Sequence, residues 1–222
     1  MSISVIIPTL NEEEWIAGAV ESAFGAGAAE VIVVDGGSDD RTARLATAAG
    51  GRLILADPMR ARQLNRGAEA ASNPHLIFLH ADSRLPAGAA AAVEKALTSG
   101  IVFGGFRLRF AEPDRKLRIA ESMINLRSGL TRSPWGDQAQ FIARLTLLGR
   151  GGFRDIPIME DYDLAQRMKR AGRTRILPLT VITSGRRFLQ KGLLRTAAIN
   201  WSIIWRYHRG VDPEELARMY RM

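Results

Sequence analysis

Four short apolar runs pattern the first eighty residues: Ile3 to Ile7, Val31 to Val34, Arg52 to Leu55 and Leu76 to Leu79. Stretches of helical period lie between them. Ile16, Val20 and Ala23 or Phe24 follow Asn11, a natural N-cap, and Glu12 to Glu14, which suit a helix's positive first turn. A second helical stretch starts at Thr42 and stops at Gly50 and Gly51, and a third covers Ala61 to Ala71. Continuous apolar runs of this length suit strands covered on both faces, and their alternation with helices predicts right-handed crossovers and a mostly parallel sheet. Ligands of such sheets bind just beyond the carboxyl ends of the strands. Asp35 and the trio His80, Ala81 and Asp82 occupy those positions.

An Ala-rich helix over Ala87 to Leu97 precedes a change of pattern at Gly100. Phe106, Leu108 and Phe110 alternate with Arg107 and Arg109, which predicts a half-exposed, antiparallel strand. Arg115 to Arg127 is helical in period, with Leu117, Ala120, Met123 and Ile124 on its apolar side. Trp135 to Gln138 form a polar turn into a strand over Ala139 to Ile142, and Leu145 to Leu148 make one helical turn. Glu160, Asp161, Tyr162 and Asp163 open a further helix, strands follow at Thr174 to Leu177 and Val181 to Thr183, and helices at Leu193 to Tyr207 and after Pro213 close the chain. The fold class is α/β: a mostly parallel sheet with helices on both faces, plus antiparallel additions in the C-terminal half. Residues 1–222 read as one domain, without an internal repeat or low-complexity linker.

At 46% hydrophobic and 24% charged residues the chain is a folding sequence, not a disordered one. Its net charge of +8 is uneven: residues 1–106 carry 8 basic and 12 acidic side chains, residues 107–222 carry 23 and 11. The basic half attracts phosphates, anionic lipid or acidic acceptors, while the acidic half is a poor surface for duplex nucleic acid, so no nucleic-acid partner is expected. Without cysteine there are no disulfides or thiolate metal sites, which fits the cytoplasm. Met1 to Ile7 runs directly into an acidic stretch, which does not look like a signal peptide, and no apolar run approaches bilayer-spanning length.

Asp82 can be read in two ways. A carboxylate at a strand's end can hold a divalent cation against substrate phosphates, or it can cap the helix that starts near Pro86. Asp35, Asp39 and Asp82 converge on one sheet edge if the crossovers are regular. Gly36 and Gly37 lack the spaced glycine fingerprint of dinucleotide folds, and an acidic loop repels a pyrophosphate, so Asp35 suits a base or ribose better. Asp39 or Asp40 also serves as an N-cap for the Thr42 helix.

The runs VIIPTLNEE, VIVVDGGSDDRT, LIFLHADSRLP and GGFRDIPIMEDYDL, in this order between Ser4 and about Arg187, resemble the family-2 glycosyltransferases of the GT-A fold. Short, single-domain bacterial members are the most similar in layout. The resemblance implies a nucleotide-sugar donor, most often a UDP-sugar, bound with Mg or Mn by the half of residues 1–106, and an acceptor and catalytic half over 107–190. It places Pro8, Thr9, Asn11 and Glu12 along the nucleoside pocket, Asp35 and Gly37 at the base, Arg60 and Arg62 on the nucleotide, and Ala81 and Asp82 at the metal and diphosphate. His80 stands where the family commonly has an acidic residue. A His there can ligate a transition metal, or simply pack or hydrogen-bond at the strand end. Glu160 and Asp161 match the family's acidic pair, with Asp161 as general base for an inverting transfer, and Asp137 and Gln138 resemble a loop near the donor sugar. Dipole stabilisation or capping is the structural alternative for any one of Glu160, Asp161 and Asp163.

The tail, residues 191–222, interleaves Leu193, Trp201, Trp205 and Tyr207 with basic residues. Residues 191–209 suit peripheral contact with the inner face of a membrane and a lipid-linked acceptor. Packing on the catalytic domain, or on a second subunit in a homodimer, is the alternative cover for the same face. Two other functions compete: a nucleotidyltransferase, which usually needs a basic Gly-rich loop where Pro8 to Glu14 is acidic, and a non-catalytic sugar-nucleotide-binding or interaction protein on the same scaffold.

Overall fold

The computed structural model describes residues 3–221. Met1 and Ser2 of the N-terminal run, and the side chains of Lys191 and Leu194 in the tail motif, lie outside the described residues. In chain order the elements are β1 (Ile3–Thr9), α1 (Ile16–Gly25), β2 (Glu30–Asp35), α2 (Thr42–Ala48), β3 (Arg52–Leu55), α3 (Arg60–Ala70), β4 (His75–Phe78), β5 (Ser83–Arg84) and α4 (Ala89–Thr98). There follow β6 (Phe103–Phe110), α5 (Arg115–Thr131), a 3-10 turn (Gly136–Gln138), β7 (Phe141–Ala143), α6 (Arg144–Leu148) and α7 (Glu160–Ala171). The last elements are β8 (Thr174–Thr183), α8 (Arg186–Lys191), α9 (Leu193–His208) and α10 (Pro213–Arg221).

One sheet takes the strand order β3-β2-β1-β4-β7-β6-β8-β5. β1, β2, β3 and β4 pair in parallel, so Thr9, Asp35 and the residues after Phe78 leave at one edge. Side chains alternate across the sheet, as the pleat demands. Ile3, Val5, Ile7, Val31 and Val33 pack with α1, α2 and α4, whereas Ile6, Ile32, Val34, Leu76 and Phe78 pack with α3 and α7. Both faces are covered, which is why these strands read as unbroken apolar runs. Phe103, Phe106 and Phe141 are fully buried, each contributing on the order of 1.5–3 kcal/mol of transfer free energy.

β5 and β7 are the antiparallel additions: the two-residue β5 pairs with β8 at the edge, and β7 pairs with β4 on one side and β6 on the other. The sequence reading of β6 as antiparallel holds only for that short contact. Its long partner is β8, and the two run parallel. Arg107 and Arg109 do face outward, so the alternation was a sign of half-burial, not of strand direction. The two expected strands near Thr174 and Val181 are one, whose register with β6 skips at Phe106/Arg107, opposite Pro178. Proline has no N–H to give the ladder, and a bulge absorbs the gap.

Asn11 is not a helix cap. Its φ is 53°, its N–H donates to Ser38 Oγ and its Oδ1 accepts from the Asp39 N–H, so it ties the loop after β1 to the loop after β2. The acidic stretch Glu12 to Glu14 therefore precedes α1, which begins only at Ile16. Neither Asp39 nor Asp40 is the N-cap of α2: Arg41 holds that position without a side-chain cap, and Asp40, one residue further out, accepts from the Thr42 N–H at 2.8 Å. Met123, expected on the covered side of α5, is 54% exposed.

Gly104 in β6 has no room for a side chain, because a Cβ there would overlap the Arg175 carbonyl oxygen and the Phe141 ring. Gly104→Ala is expected to destabilise the fold by about 1–3 kcal/mol through overpacking. Urea unfolding of the variant and wild type, with an unchanged m-value, checks this.

Candidate active site

The sheet edge that collects the carboxyl ends of β1 and β4 opens onto a cavity of about 700 Å³. Thr9 and Glu12 come from the loop after β1, Arg60 from the start of α3, and His80, Ala81 and Asp82 from the loop after β4. Because β7 runs antiparallel to β4, the turn before it, with Gly136 and Asp137, arrives at the same edge. β8 parallels β6 and delivers Arg186 there too. Met159, with a left-handed φ of 71°, turns the chain so that Glu160 and Asp161 open α7 into the cavity. Asn11 and Ala139, two further non-glycine residues with positive φ, flank the same region, and such backbone strain concentrates at functional sites.

Asp161 is held by two backbone donors: Gly136 N–H to Oδ2 at 2.5 Å and Tyr162 N–H to Oδ1 at 2.7 Å. A side chain at Gly136 would push on the site, since a Cβ would stand 2.9 Å from both Asp161 Oδ2 and His80 Nε2. Glu160, 4% exposed, faces Arg60 at 3.4 Å. Burial pushes its carboxyl up to about 7, against the pull of Arg60 and with the push of Asp161. Asp137 is pushed up to about 6, chiefly by burial, while the charge of Arg127 works the other way. Arg127 itself drops to about 10 through burial, with its guanidinium stacked 3.4 Å over the Trp135 ring. Burial and the charge of Arg60 hold His80 well below the usual imidazole range, so it is neutral and accepts from Arg60.

Asp82 does not cap a helix. Its Oδ2 lies 3.4 Å from Arg186, which also bonds Glu12 Oε1 at 2.7 Å, so this one guanidinium joins the loops after β1 and β4. Glu12 Oε2, Asp137 Oδ1 and Thr9 Oγ1 are buried with no hydrogen-bond partner among the described residues. Each of these oxygens is left for a ligand's hydroxyl donor or a cation, and Asp82 is a carboxylate of the kind that holds a hard divalent cation. Among the described residues no three His, Cys, Asp or Glu side chains form a metal cage, so a cation would complete its shell with substrate phosphates.

The remaining sequence candidates are placed differently. Pro8 lines the cavity. Asp35, 2% exposed, sits beside Thr9 in the sheet but spends its carboxylate on Ser38, accepting from both its N–H and its hydroxyl, and does not line the cavity. Asn11 and Gly37 lie in the neighbouring loop, also outside the lining. Arg62 is turned away, held by Asp57 and Asp155 at 3.0 Å each. Asp163 takes the structural role: it accepts from Arg167 and the Tyr207 hydroxyl and pairs with Arg154. Sequence reasoning missed Arg127 and Arg186. The pair Arg186–Arg187, immediately after a strand's carboxyl end, was a usable signal, whereas nothing local distinguished Arg127 from the other arginines of α5.

The family model described as Glycosyl transferase family 2 matches residues 4–149, and the chain belongs to that family. Solved structures share the architecture. A crystal structure titled only as a mycobacterial protein superposes with a TM-score of 0.58 at 22% identity, covering 82% of this chain and 65% of the other. Glucosyl-3-phosphoglycerate synthase from Mycobacterium tuberculosis in complex with Mg2+ and UDP gives 0.58 at 22% identity over 82% and 70% of the two chains. The same enzyme with Mn2+, UDP-glucose and phosphoglyceric acid gives 0.57 at 22% over 81% and 70%. The chain thus spans about two thirds of the length of these structures, and just under that for the first. No curated protein sequence matches it. The fold is GT-A, with the mostly parallel sheet expected.

The raised carboxyls set a pH dependence. A group whose folded value exceeds its unfolded one stabilises most below the unfolded value and loses that contribution as pH rises through the folded value. For Asp137 this window runs from 3.8 to about 6. Asp137→Asn is expected to melt above wild type at pH 8, with the gap closing as pH falls toward 4. Melting curves across that range check it.

Proposed function

We propose that the chain is an inverting glycosyltransferase moving a sugar from a nucleotide-sugar, with UDP as the nucleotide, to an acceptor hydroxyl. The observation that carries this reading is the convergence of Asp82, Asp137 and Asp161, from three separate segments, on one cavity at the carboxyl edge of the sheet. Family membership supports the reaction class, and the UDP-glucose, Mn2+ and Mg2+ complexes of the similar structures support the donor and cation.

Asp161 takes the proton of the acceptor hydroxyl, its carboxylate oriented by the Gly136 and Tyr162 N–H groups. The acceptor oxygen forms its bond to the sugar's anomeric carbon from the face opposite the diphosphate. The bond from that carbon to the diphosphate oxygen breaks, the electron pair leaves with UDP, and the configuration inverts. Glu160 is a positioning residue that holds Arg60 beside the leaving group, and Arg186 adds positive charge next to Asp82. Mg2+ or Mn2+, held by Asp82 and the phosphates, would neutralise the diphosphate's charge. Thr9, Glu12 and Pro8 line the nucleoside side, with Asp35, Gly37 and Asn11 shaping the loop behind it. Arg62 belongs to this reading only if its two ion pairs open.

Membrane contact through residues 191–209 is part of the same proposal. No helix among the described residues is long and apolar enough to cross a membrane. α9 packs inward through Thr196 and Ile203 and turns out Trp201 and Trp205, 60% and 54% exposed, with Arg209 stacked 3.8 Å over Trp205. Outward tryptophans beside arginines suit a headgroup interface.

Asp161→Asn is expected to lower transfer by roughly 10²–10⁴-fold, the range for a lost general base, while UDP affinity stays within a factor of about two to three. Turnover of UDP-sugar with product NMR checks both the rate and the anomeric configuration. Unchanged turnover removes Asp161 from the mechanism.

A further inference from the structure

The cavity has two chemically distinct ends. At one lie Glu12, Asp82, Asp137, Asp161 and Arg186, and at the other it runs between α5 and α9. α5 contributes Ala120, Met123, Ile124 and Arg127, and α9 contributes Leu193, Ala197, Trp201 and Ile204, with the polar Thr196 and Asn200 between them. These are helical spacings, so each helix gives one whole face to the trough. Phe110 and Phe188, ring centroids 5.2 Å apart, also line this end, continuous with the satellite core of Leu108, Leu117 and Ala120. From Arg127 to Ala120 is two helical turns, a trough roughly 10 Å long. Its lip is apolar as well: Met123 and Trp201 line the cavity and are yet 54% and 60% exposed, and Ile119 and Leu126 of α5 are exposed nearby in sequence.

A nucleotide-sugar does not fill this end: its sugar, ribose and phosphates are polar, and its base, a single flat ring that can stack on an apolar wall, is far shorter than the trough. An occupant that places a hydroxyl at Asp161 and fills the trough must be amphiphilic. We infer that the acceptor is an alcohol or glycolipid whose alkyl or prenyl chain lies between α5 and α9 and leaves past Met123 and Trp201, an inference that rests on Asp161 as the base. The chain binds inside the protein and not merely on its surface, and the basic, tryptophan-bearing face of α9 lies where that chain would emerge from a bilayer.

The test uses the full chain without any donor. Quenching of tryptophan fluorescence by terminally brominated n-alkan-1-ols, from two to twelve carbons and below their aggregation limits, reads chain binding directly. Affinity is expected to rise about fourfold per added methylene until the trough is filled, then level off. Met123→Glu, at an exposed lip the fold tolerates, and Ala197→Phe, which fills the trough, should each weaken the long-chain alcohol at least tenfold. The shift in melting temperature produced by UDP with Mn2+ should be unchanged in both. Loss of that shift in wild type as well would count against the donor reading alone, because the chain-length series does not depend on it. Chain-length-independent binding, or long-chain binding undiminished in both variants, overturns the inference. So does a dimer that Met123→Glu dissociates in a protein that binds no alkanol, which would assign the lip to a second copy.

Discussion

The antiparallel pairing of β7 with β4 is the contact on which the site depends. β4 is the last strand of the parallel half, and its carboxyl end carries His80 and Asp82. Setting His75 against Ala143 and Ile77 against Phe141 brings the turn that precedes β7 alongside the loop that follows β4. Asp137 and Gly136 thereby reach the edge that Asp82 occupies, and Gly136 in turn anchors Asp161. A one-residue slip in that pairing would turn Phe141 and Ile142 to the wrong faces of the sheet and misplace the turn. The same reversal sets β6, and through it β8, pointing at this edge, which is how Arg186 arrives from so far along the chain.

Bringing five acids to one cavity is costly without compensation. Arg60, Arg127 and Arg186 supply it unevenly. Arg186 serves Glu12 and Asp82, Arg60 serves Glu160 while leaving its carboxyl high, and Arg127 fails to bring Asp137 into the ordinary range. Glu12, Asp137 and Thr9 keep buried oxygens without partners among the described residues. Unsatisfied buried groups cost about 1–3 kcal/mol each, so a ligand that completes them binds more tightly than its contact area alone would suggest. The partnerless carboxylate oxygens call for hydroxyl donors or positive charge.

Much of the first half was legible in the residues. β3 falls where the apolar run placed it and the other parallel strands within two residues at each end, because two-sided burial leaves an unbroken apolar signature. The start of α1 was not legible: Asn11 and the glutamates have a cap's chemistry, but they bond across to Ser38, Asp39 and Arg41 of another loop. Nor was the parallel pairing of β6 with β8, since period-2 alternation reports which face is buried and not which strand lies alongside. At the site, Asp161 and Asp163 were equivalent by residue type, and only the packing of Tyr207 and Arg154 separates the one turned into the cavity from the one consumed in the fold. Arg62 looked like Arg60, and the position of Asp155, distant in sequence, decides between them. The apolar end of the cavity was hidden because it is formed by α5 and α9, each of which reads singly as an amphipathic surface helix.

Isothermal titration of UDP into the full chain, with and without Mn2+, tests the central claim most directly. The account predicts a single saturable site per chain whose affinity depends on the cation. Absence of binding to UDP under both conditions, with the protein folded, would contradict it.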